Sequence, residues 1–313
     1  MRRIRHVEHI PQGGTLFLWG SAPLPQGLRS DIEVIRVEDG FLRSVGLGAE
    51  LVRPISWVMD RSGMYYDATR ASDLEHLLQS RQFTPQQLAR AAALRGRITA
   101  SGITKYSVGH RSWQRPRHAR VILVPGQAES DASLRFGAPA LRTNLGLLRA
   151  VREANPDGYL LYKPHPDVSA GLRARGQGEQ RVRDWCDEVV TDVAMGALLE
   201  RVDEVHVLTS LAGFEALLRG KSVVCYGLPF YAGWGLTRDV VPLARRRRRL
   251  TLNELVVGTL IVYPTYVSRR TGRRITAEQA FDELLAWRDA AGTPNRAWQH
   301  LRRAVLRLTV ARP

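Results

Sequence analysis

Cysteine, lysine and long hydrophobic runs are all scarce in this sequence of 313 residues. The two cysteines, Cys186 and Cys225, lack metal-site spacing and are too few for a disulfide framework, so we expect a reduced, cytoplasmic protein. No apolar run approaches the ~20 residues of a membrane-spanning helix. The basic N-terminus lacks the apolar segment of a signal peptide, so any membrane contact is expected to be peripheral.

Negative charge is also in short supply, because basic residues exceed acidic ones by 16 and 43 of the basic residues are arginines. Such an excess predicts an anionic partner, whether nucleic acid, an acidic membrane leaflet or a phosphorylated substrate. The five arginines Arg245–Arg249 are either solvated or in contact with lipid headgroups. Since no RNP-like, zinc-finger or helix-turn-helix pattern is present, we expect no nucleic acid partner.

Short apolar segments alternate with helical patterns along most of the chain. Strands are expected at residues 15–19, 32–37, 56–59, 121–124, 159–162, 205–208 and 223–226. Helices are expected after capping signals at Ser72 and Thr84, near 144–154 and 211–218, and in a basic tail at 297–310. This alternation indicates βαβ units with parallel strands. We expect an α/β fold of the GT-B type, with two Rossmann-like domains, residues 1–145 and 146–313, facing a central cleft.

Polar side chains follow several of the expected strands. Lys163 and His165 come directly after the strand 159–162, in a segment whose prolines, Pro164 and Pro166, hold the backbone extended. In open α/β sheets, ligands bind at the carboxyl ends of the strands. A cation and an imidazole there suit a phosphate or a carboxylate. The alternative is a strand end with two solvated polar side chains.

Two adjacent acids, Glu38 and Asp39, end the second expected strand, and Gly40 lets the backbone turn behind them. A carboxylate at a strand end can act as a general acid or base. Because neighbouring strand residues point to opposite faces, at most one of the two should face the cleft. The alternative is a turn with solvated acids.

Gln127, Glu129 and Asp131 follow the strand 121–124. Glu129 and Asp131 share a face if the backbone is extended, whereas Gln127 and Asp131 share one if it is helical. In either case Asp131 can be directed at one point beside a polar neighbour, as a nucleophilic carboxylate requires. The alternative is a helix N-cap.

Ser210 follows the strand 205–208 and begins an expected helix that contains Glu215. The free N–H groups of a helix N-terminus bind phosphate or carboxylate, and Glu215, one turn into the helix, could reach a ribose diol. The alternative is a capped helix with one exposed acid.

Six segments carry a resemblance to a known family. They are Glu38–Gly48, Tyr65–Leu74, Pro125–Asp131, Tyr162–Pro166, Ser210–Leu217 and Gly227–Thr237. In this order they resemble the capsule polysaccharide β-Kdo transferases, and the resemblance covers residues 15–272. Those enzymes add 3-deoxy-D-manno-octulosonic acid (Kdo) to a lipid-borne acceptor in Gram-negative bacteria.

The resemblance implies a GT-B fold, CMP-β-Kdo as the donor, and retention of configuration without a metal or other cofactor. It also implies an anionic glycolipid acceptor at the inner face of the inner membrane. Well-known members carry two such modules, whereas this chain carries one, so a partner enzyme of capsule biosynthesis could supply the other linkage. Two other functions stay open: a GT-B transferase for another nucleotide sugar, and a non-catalytic basic component of capsule export.

The resemblance also implies roles for individual residues. The family's Gln-x-x-x-Asp motif falls on Gln127 and Asp131, which makes Asp131 the expected nucleophile. Its His-Pro motif falls on His165, and a similar motif in bacterial sialyltransferases contacts the CMP phosphate. Asp39 is expected as the acid/base with Glu38 as the fallback, and Glu129 is a further catalytic candidate. The residues expected to bind the donor are Lys163, Ser210, Glu215 and Gln127. Arg43 is expected to bind the Kdo carboxylate.

Overall fold

The computed structural model describes residues 6–44, 53–105, 111–117 and 119–291. The strands in these residues are β1 Thr15–Trp19, β2 Glu33–Asp39, β3 Ser56–Asp60, β4 Val121–Pro125, β5 Tyr159–Lys163, β6 Glu188–Val189, β7 Glu204–Val207, β8 Ser222–Cys225, β9 Arg238–Asp239, β10 Thr265–Val267 and β11 Arg274–Ile275. They form two sheets, ordered β1-β2-β3-β10-β11 and β6-β5-β4-β7-β8-β9. We call them the first and the second sheet.

The helices surround these sheets. They are α1 Asp73–Ser80, α2 Pro85–Ser101, α3 Ala132–Gly137, α4 Asn144–Ala154, α5 Pro166–Ser169, α6 Met195–Arg201, α7 Leu211–Leu218, α8 Leu252–Val256 and α9 Ala277–Ala291, with short 3-10 helices at Val7–His9 and Glu179–Asp184. Helix α8 continues directly into a π-helical segment, Val257–Val262. Within the described part of the chain, no helix is both long enough and apolar enough to cross a bilayer.

The second sheet is parallel throughout. Its central strand β4 is buried at every position, as expected for a parallel strand covered on both faces. The strands predicted near residues 121, 159, 205 and 223 all lie in this sheet. The α/β class and the parallel pattern expected from the sequence are therefore confirmed here.

The first sheet is mixed, and in this it differs from the expected Rossmann-like unit. β1 and β2 are parallel, but β2–β3, β3–β10 and β10–β11 are antiparallel. No described helix lies between β2 and β3, which as antiparallel neighbours need no crossover helix. The parallel strands β1 and β2 are joined by residues 20–32, which contain no helix. The expected boundary at residue 145 falls between β4 and β5, which pair along their whole length. It therefore does not separate the sheets, because β4 belongs to the second and β10 returns to the first.

Helices α1 and α2 begin where the capping signals predicted. Ser72 accepts a hydrogen bond from the Glu75 amide at 3.1 Å, and Thr84 and Gln87 form a reciprocal capping box. Gly102, with a positive φ of 67°, ends α2. The expected tail helix at 297–310 and the end of the first family segment, residues 45–48, lie outside the described residues.

The arginine run 245–249 meets its expectations only in part: Arg247 and Arg249 are exposed, whereas the other three side chains are engaged by the fold. Arg246 is buried, donates to Glu75 at 2.9 Å and also binds the carbonyl oxygens of Pro229 and Ala232. Arg245 pairs with Glu75 as well, and Arg248 pairs with Glu254. The run therefore fastens α1 to the loop after β8, because Arg245 and Arg246 share Glu75 and Arg246 also binds Pro229 and Ala232.

Aromatic rings connect the two sheets. Phe41, just after β2, lies 4.6 Å from Phe230 in the loop after β8. Phe230 in turn lies 5.3 Å from Phe214 on α7. All three rings are buried in one hydrophobic cluster, so the carboxyl end of β2 is held facing the carboxyl ends of the second sheet.

Candidate active site

A cleft of about 770 Å³ lies between the carboxyl end of β2 and those of β4, β5 and β7. This volume is within the usual range for pockets that hold a small ligand. Of the residues expected at the site, it is lined by Glu38, Asp39, Arg43, Gln127, Asp131, Lys163, His165, Ser210 and Glu215. Glu129 is not part of the lining, because its oxygens accept the backbone N–H groups of Asn144 and Gln177.

The loop after β4 is fixed in place by close packing at Gly126 and by the hydrogen bonds of the Gln127 side chain. A Cβ at Gly126 would lie 2.5 Å from the Tyr162 hydroxyl oxygen, so a side chain there would clash. The Gln127 side chain accepts from the Thr209 amide at 2.9 Å and donates to the Thr209 hydroxyl at 3.0 Å. Gln127 thus ties the ends of β4 and β7 together, which is a positioning role beside the expected donor contact.

Asp131 stands at the N-cap position of α3, but its side chain makes no capping hydrogen bond. The side chain is 44% exposed and lines the cleft, with one guanidinium nitrogen of Arg173 at 3.7 Å. Arg173 also lies 4.0 Å from the Asp167 carboxylate. No motif or strand end in the sequence marks Arg173 as a cleft residue.

Lys163 is the last residue of β5 and is buried at the floor of the cleft. Its ammonium group lies 3.5 Å from the Thr191 carbonyl oxygen. Burial lowers the pKa of Lys163 to about 8, although the charge of Asp192 acts in the opposite direction. Because a buried ammonium is costly unless an anion accompanies it, an anionic ligand in this cleft would restore its favourable environment.

His165 lies two residues further, at the N-cap of α5. Its Nδ1 accepts the Asp167 amide at 3.2 Å. Burial, with the nearby charges of Lys105 and Arg173, lowers the pKa of His165 to about 4. The imidazole is therefore neutral near pH 7 and carries its proton on Nε2, which makes it a neutral hydrogen-bond donor.

The N-terminus of α7 opens onto the same cleft. The Ser210 hydroxyl accepts from the Ala212 amide at 3.3 Å, and the Tyr231 hydroxyl donates to the Ser210 carbonyl oxygen. A Cβ at Gly213 would collide with the Tyr231 hydroxyl. This close approach keeps the first turn of α7 fixed against the cleft wall.

Glu215 is buried one turn into α7 and accepts the backbone N–H of Lys105 at 2.5 Å. Burial raises the pKa of Glu215 to about 7. The carboxylate therefore holds the segment after α2 against α7. Lys105 itself lines the cleft, a contribution that no sequence pattern indicated.

Both acids at the end of β2 line the cleft, whereas at most one was expected. The strand ends at Asp39 and the chain turns at Gly40, where a Cβ would collide with the Ser56 hydroxyl. Asp39 forms an ion pair with Arg43 that is largely buried. Burial raises the pKa of the Glu38 carboxyl, and the neighbouring negative charges of Asp39 and Asp131 raise it further.

The cleft thus combines two kinds of chemistry. One wall offers buried or half-buried cationic and neutral N–H donors, suited to a phosphate. The other offers a carboxyl whose raised pKa suits it to proton transfer. Over the ranges that the structure describes, no group of three or more His, Cys, Asp or Glu side chains is arranged to hold a metal ion.

A family model described as "Capsule polysaccharide biosynthesis protein" matches residues 27–102 and 97–266 of this chain. Among curated relatives, the capsule polysaccharide modification protein LipA of Neisseria meningitidis serogroup A is 49% identical over 255 residues. The lipopolysaccharide-processing protein LpsZ of Rhizobium meliloti is 41% identical over 262 residues. The matched region is 81% of this chain but only 36% of LipA, and 82% of this chain and 60% of LpsZ.

Two solved structures of KpsC from Thermosulfurimonas dismutans are similar over most of this chain. The β-Kdo 2,7 transferase is 43% identical, with a TM-score of 0.72 over 88% of this chain and 85% of that one. The β-Kdo 2,4 transferase is 33% identical, with a TM-score of 0.76 over 86% of each chain. The resemblance to the β-Kdo transferases is thereby confirmed, and the chain belongs to the capsule polysaccharide biosynthesis protein family.

Proposed function

We propose that this chain is a retaining β-Kdo glycosyltransferase of capsular polysaccharide biosynthesis that uses CMP-β-Kdo as its donor. The observation that carries the proposal is the single cleft in which Asp131, Glu38 and Lys163 meet. The similarity to two KpsC β-Kdo transferases supports the choice of sugar. CMP-β-Kdo carries both a phosphate and a sugar carboxylate, which matches the excess of cationic groups at the second-sheet wall.

We also propose that the two sheets are the two domains of a GT-B enzyme. The first sheet with its helices forms the acceptor side, and the second sheet forms the nucleotide-sugar side. Support comes from the cleft between their strand ends and from the parallel second sheet. In this proposal each domain contains one sheet. The chain therefore passes from the first domain to the second before β4 and returns to the first before β10.

The donor phosphate is bound at the second-sheet wall. The Lys163 ammonium neutralises its charge, the neutral His165 donates from Nε2, and the first turn of α7 at Ser210 adds backbone N–H groups. Because these groups can balance the charge of the departing CMP, the proposal requires no divalent ion. The Kdo carboxylate pairs with Arg173 rather than with Arg43, since Arg43 is already occupied by Asp39.

The chemistry proceeds in two displacements. The Asp131 carboxylate attacks the anomeric carbon of Kdo, a carbon–oxygen bond forms there, and CMP departs with the electron pair of the broken bond. An acceptor hydroxyl then attacks the same carbon, Asp131 leaves, and Glu38 takes the hydroxyl proton. We assign this step to Glu38 because its raised pKa makes it a stronger base, whereas Asp39 is held by Arg43.

The proposed acceptor is an anionic glycolipid at the cytoplasmic face of the inner membrane. A partner enzyme of capsule biosynthesis is part of the proposal as well. The linkage formed here is a question for experiment. Sequence identity is higher to the 2,7 enzyme, whereas the TM-score is higher for the 2,4 enzyme.

The test is a transfer assay in which CMP-Kdo, which is hydrolytically unstable, is regenerated in situ and supplied with a Kdo-terminated glycolipid. We expect CMP release coupled to a β-Kdo product whose linkage is read by NMR, with undiminished rate in the presence of EDTA. Thermal-shift measurements should show stabilisation by CMP and not by UDP. Stabilisation by UDP alone would instead indicate a transferase for another sugar. Absence of turnover with any nucleotide sugar would favour a non-catalytic role in capsule export.

A further inference from the structure

The hairpin between β10 and β11 presents a second concentration of arginine, separate from the run at 245–249. Its four arginines are all exposed, and they are Arg269, Arg270, Arg273 and Arg274. The tip is well fixed, because the Ser268 hydroxyl accepts the amides of Arg270 and Thr271 and donates to Glu283 at 2.7 Å. The hairpin backbone therefore presents these four arginines at defined positions along the chain.

The charges of this hairpin are poorly neutralised by the protein. Arg270 is 82% exposed and has its nearest carboxylate, Glu283, at 3.7 Å. No carboxylate in the described residues forms an ion pair with Arg273 or Arg274. An excess of exposed positive charge of this kind attracts an anionic surface.

Exposed aromatic rings lie on the same face of the first sheet. Trp19 is 52% exposed and Phe17 is 37% exposed, and both belong to the edge strand β1. Trp19 packs edge-to-face on Trp57 at 6.0 Å. An edge strand that shows two large aromatic side chains to water is unusual unless something covers it.

The strand register places Trp57 and one hairpin residue, Arg274, on the same face, whereas Arg269 stacks on the Trp287 ring of α9 at 3.4 Å. Asp39 pairs with Trp57, and Trp57 pairs with Thr265 on β10. Two residues along β10, Val267 pairs with Arg274, whose guanidinium also donates to the Thr265 hydroxyl at 3.2 Å. Because directly paired residues and residues two apart on a strand share a face, Trp57 and Arg274 lie on one side of the sheet.

We propose that this face and the exposed hairpin at its edge, together called the Trp–Arg face (Phe17, Trp19, Trp57, Arg270, Arg273 and Arg274), dock on an anionic phospholipid surface. Aromatic rings beside arginine match the boundary between acyl chains and charged headgroups. The choice of a lipid surface rests on the proposed function, in which the acceptor is a glycolipid. Trp19 also lines the cleft, so docking of this face would bring the cleft mouth to the membrane that carries the acceptor.

The experiment measures co-sedimentation of the full chain with vesicles of phosphatidylcholine, with and without phosphatidylglycerol. We expect binding only to the anionic vesicles, weakening as salt is raised. The triple variant Arg270→Gln, Arg273→Gln and Arg274→Gln should bind on the order of a hundredfold more weakly. Phe17→Ser, which removes an aromatic ring outside the cleft lining, should bind several-fold more weakly.

The matched control is Arg117→Gln, Arg183→Gln and Arg238→Gln. It removes the same charge from exposed positions outside the Trp–Arg face and should retain most of the binding. Equal loss in both triple variants would overturn the proposal in favour of general electrostatic attraction. Equal binding of the wild type to neutral and anionic vesicles would also overturn it.

A second readout separates this proposal from the proposed function. Transfer to a short water-soluble acceptor should be the same in the wild type and in the hairpin triple variant, while transfer to a vesicle-embedded acceptor should fall in the variant. If no transfer occurs with either acceptor, the proposed function fails, but the vesicle measurement still decides the docking. If both transfers persist in the variant and vesicle binding is unchanged, the docking proposal fails alone.

Discussion

The two walls of the cleft treat charge in opposite ways. At the first-sheet wall, Arg43 is neutralised by an ion pair with Asp39, which lies four residues earlier in the sequence. At the second-sheet wall, Lys163 is buried with its ammonium 3.5 Å from the Thr191 carbonyl oxygen, and burial lowers its pKa to about 8 against the opposing effect of Asp192. A buried cation of this kind is stabilised by an anion that arrives with the ligand.

The carboxyl groups of the cleft also differ in their surroundings. Asp39 is fixed by its ion pair, whereas Glu38 beside it is desolvated and has a raised pKa. Asp131, across the cleft, is half exposed and has Arg173 nearby. Adjacent residues in sequence thus have different chemistry, because the partner that folding supplies decides whether a carboxylate is structural or reactive.

The strongest test of this comparison is Asp131→Asn. Loss of the nucleophilic carboxylate should lower kcat on the order of 10⁴-fold, while stabilisation by CMP in a thermal-shift measurement is retained. The matched control is Glu129→Gln, since Glu129 is two residues away and outside the cleft lining. If the Glu129 variant loses as much activity as the Asp131 variant, the assignment of the nucleophile is wrong.

The next test separates the two acids of the first-sheet wall. Glu38→Gln should lower kcat by roughly 10²–10³-fold, because the acceptor hydroxyl loses its base. In the wild type, activity should fall as the pH drops through the pKa of Glu38, which burial raises above its ordinary value. That acid limb should disappear in Glu38→Gln. It should persist in Glu215→Gln, although burial raises the pKa of Glu215 to about 7.

A smaller effect is expected from the buried cation. Lys163→Met should reduce kcat/KM for the donor by about thirtyfold, the effect of one hydrogen bond to a charged group. Lys163 is charged below its pKa of about 8, so wild-type kcat/KM should decline as the pH rises through that value. The decline should vanish in the variant and remain in Lys221→Met. A pH profile that Lys163→Met leaves unchanged would argue against contact with the donor.

The smallest effect is one of stability. Asp39→Asn leaves the largely buried Arg43 without its carboxylate and should lower the free energy of unfolding by about 2 kcal/mol. Urea denaturation would measure this change, with Glu38→Gln as the comparison variant that should lose much less. If Asp39→Asn instead retained full stability and lost its acid limb, Asp39 would replace Glu38 as the proposed base.

Much of the second sheet could be predicted from the sequence, because β4, β5, β7 and β8 each contain a short apolar run. The two-residue strands β6 and β9 carry no such run and were not predicted. The first sheet was harder to predict, since β10 pairs with β3 from more than 200 residues away. Local sequence patterns do not determine the register of such a pairing. The cleft residues at strand ends were predicted by position. Arg173 and Lys105 were missed because they reach the cleft from segments that carry no strand-end signal.

The two arginine segments show the same limit. Composition predicts positive charge at both segments. In the first, Arg246 is bound by Glu75 of α1 and by two carbonyl oxygens. In the second, no described carboxylate pairs with Arg273. The sequence alone determined the α/β class, the strand ends that bear the candidate residues, and the family. Only the tertiary structure decided which charges are neutralised, which carboxyl is desolvated, and which strands form each sheet. The physical reason is that burial and long-range pairing, unlike strand and helix periodicity, depend on residues far away in the chain.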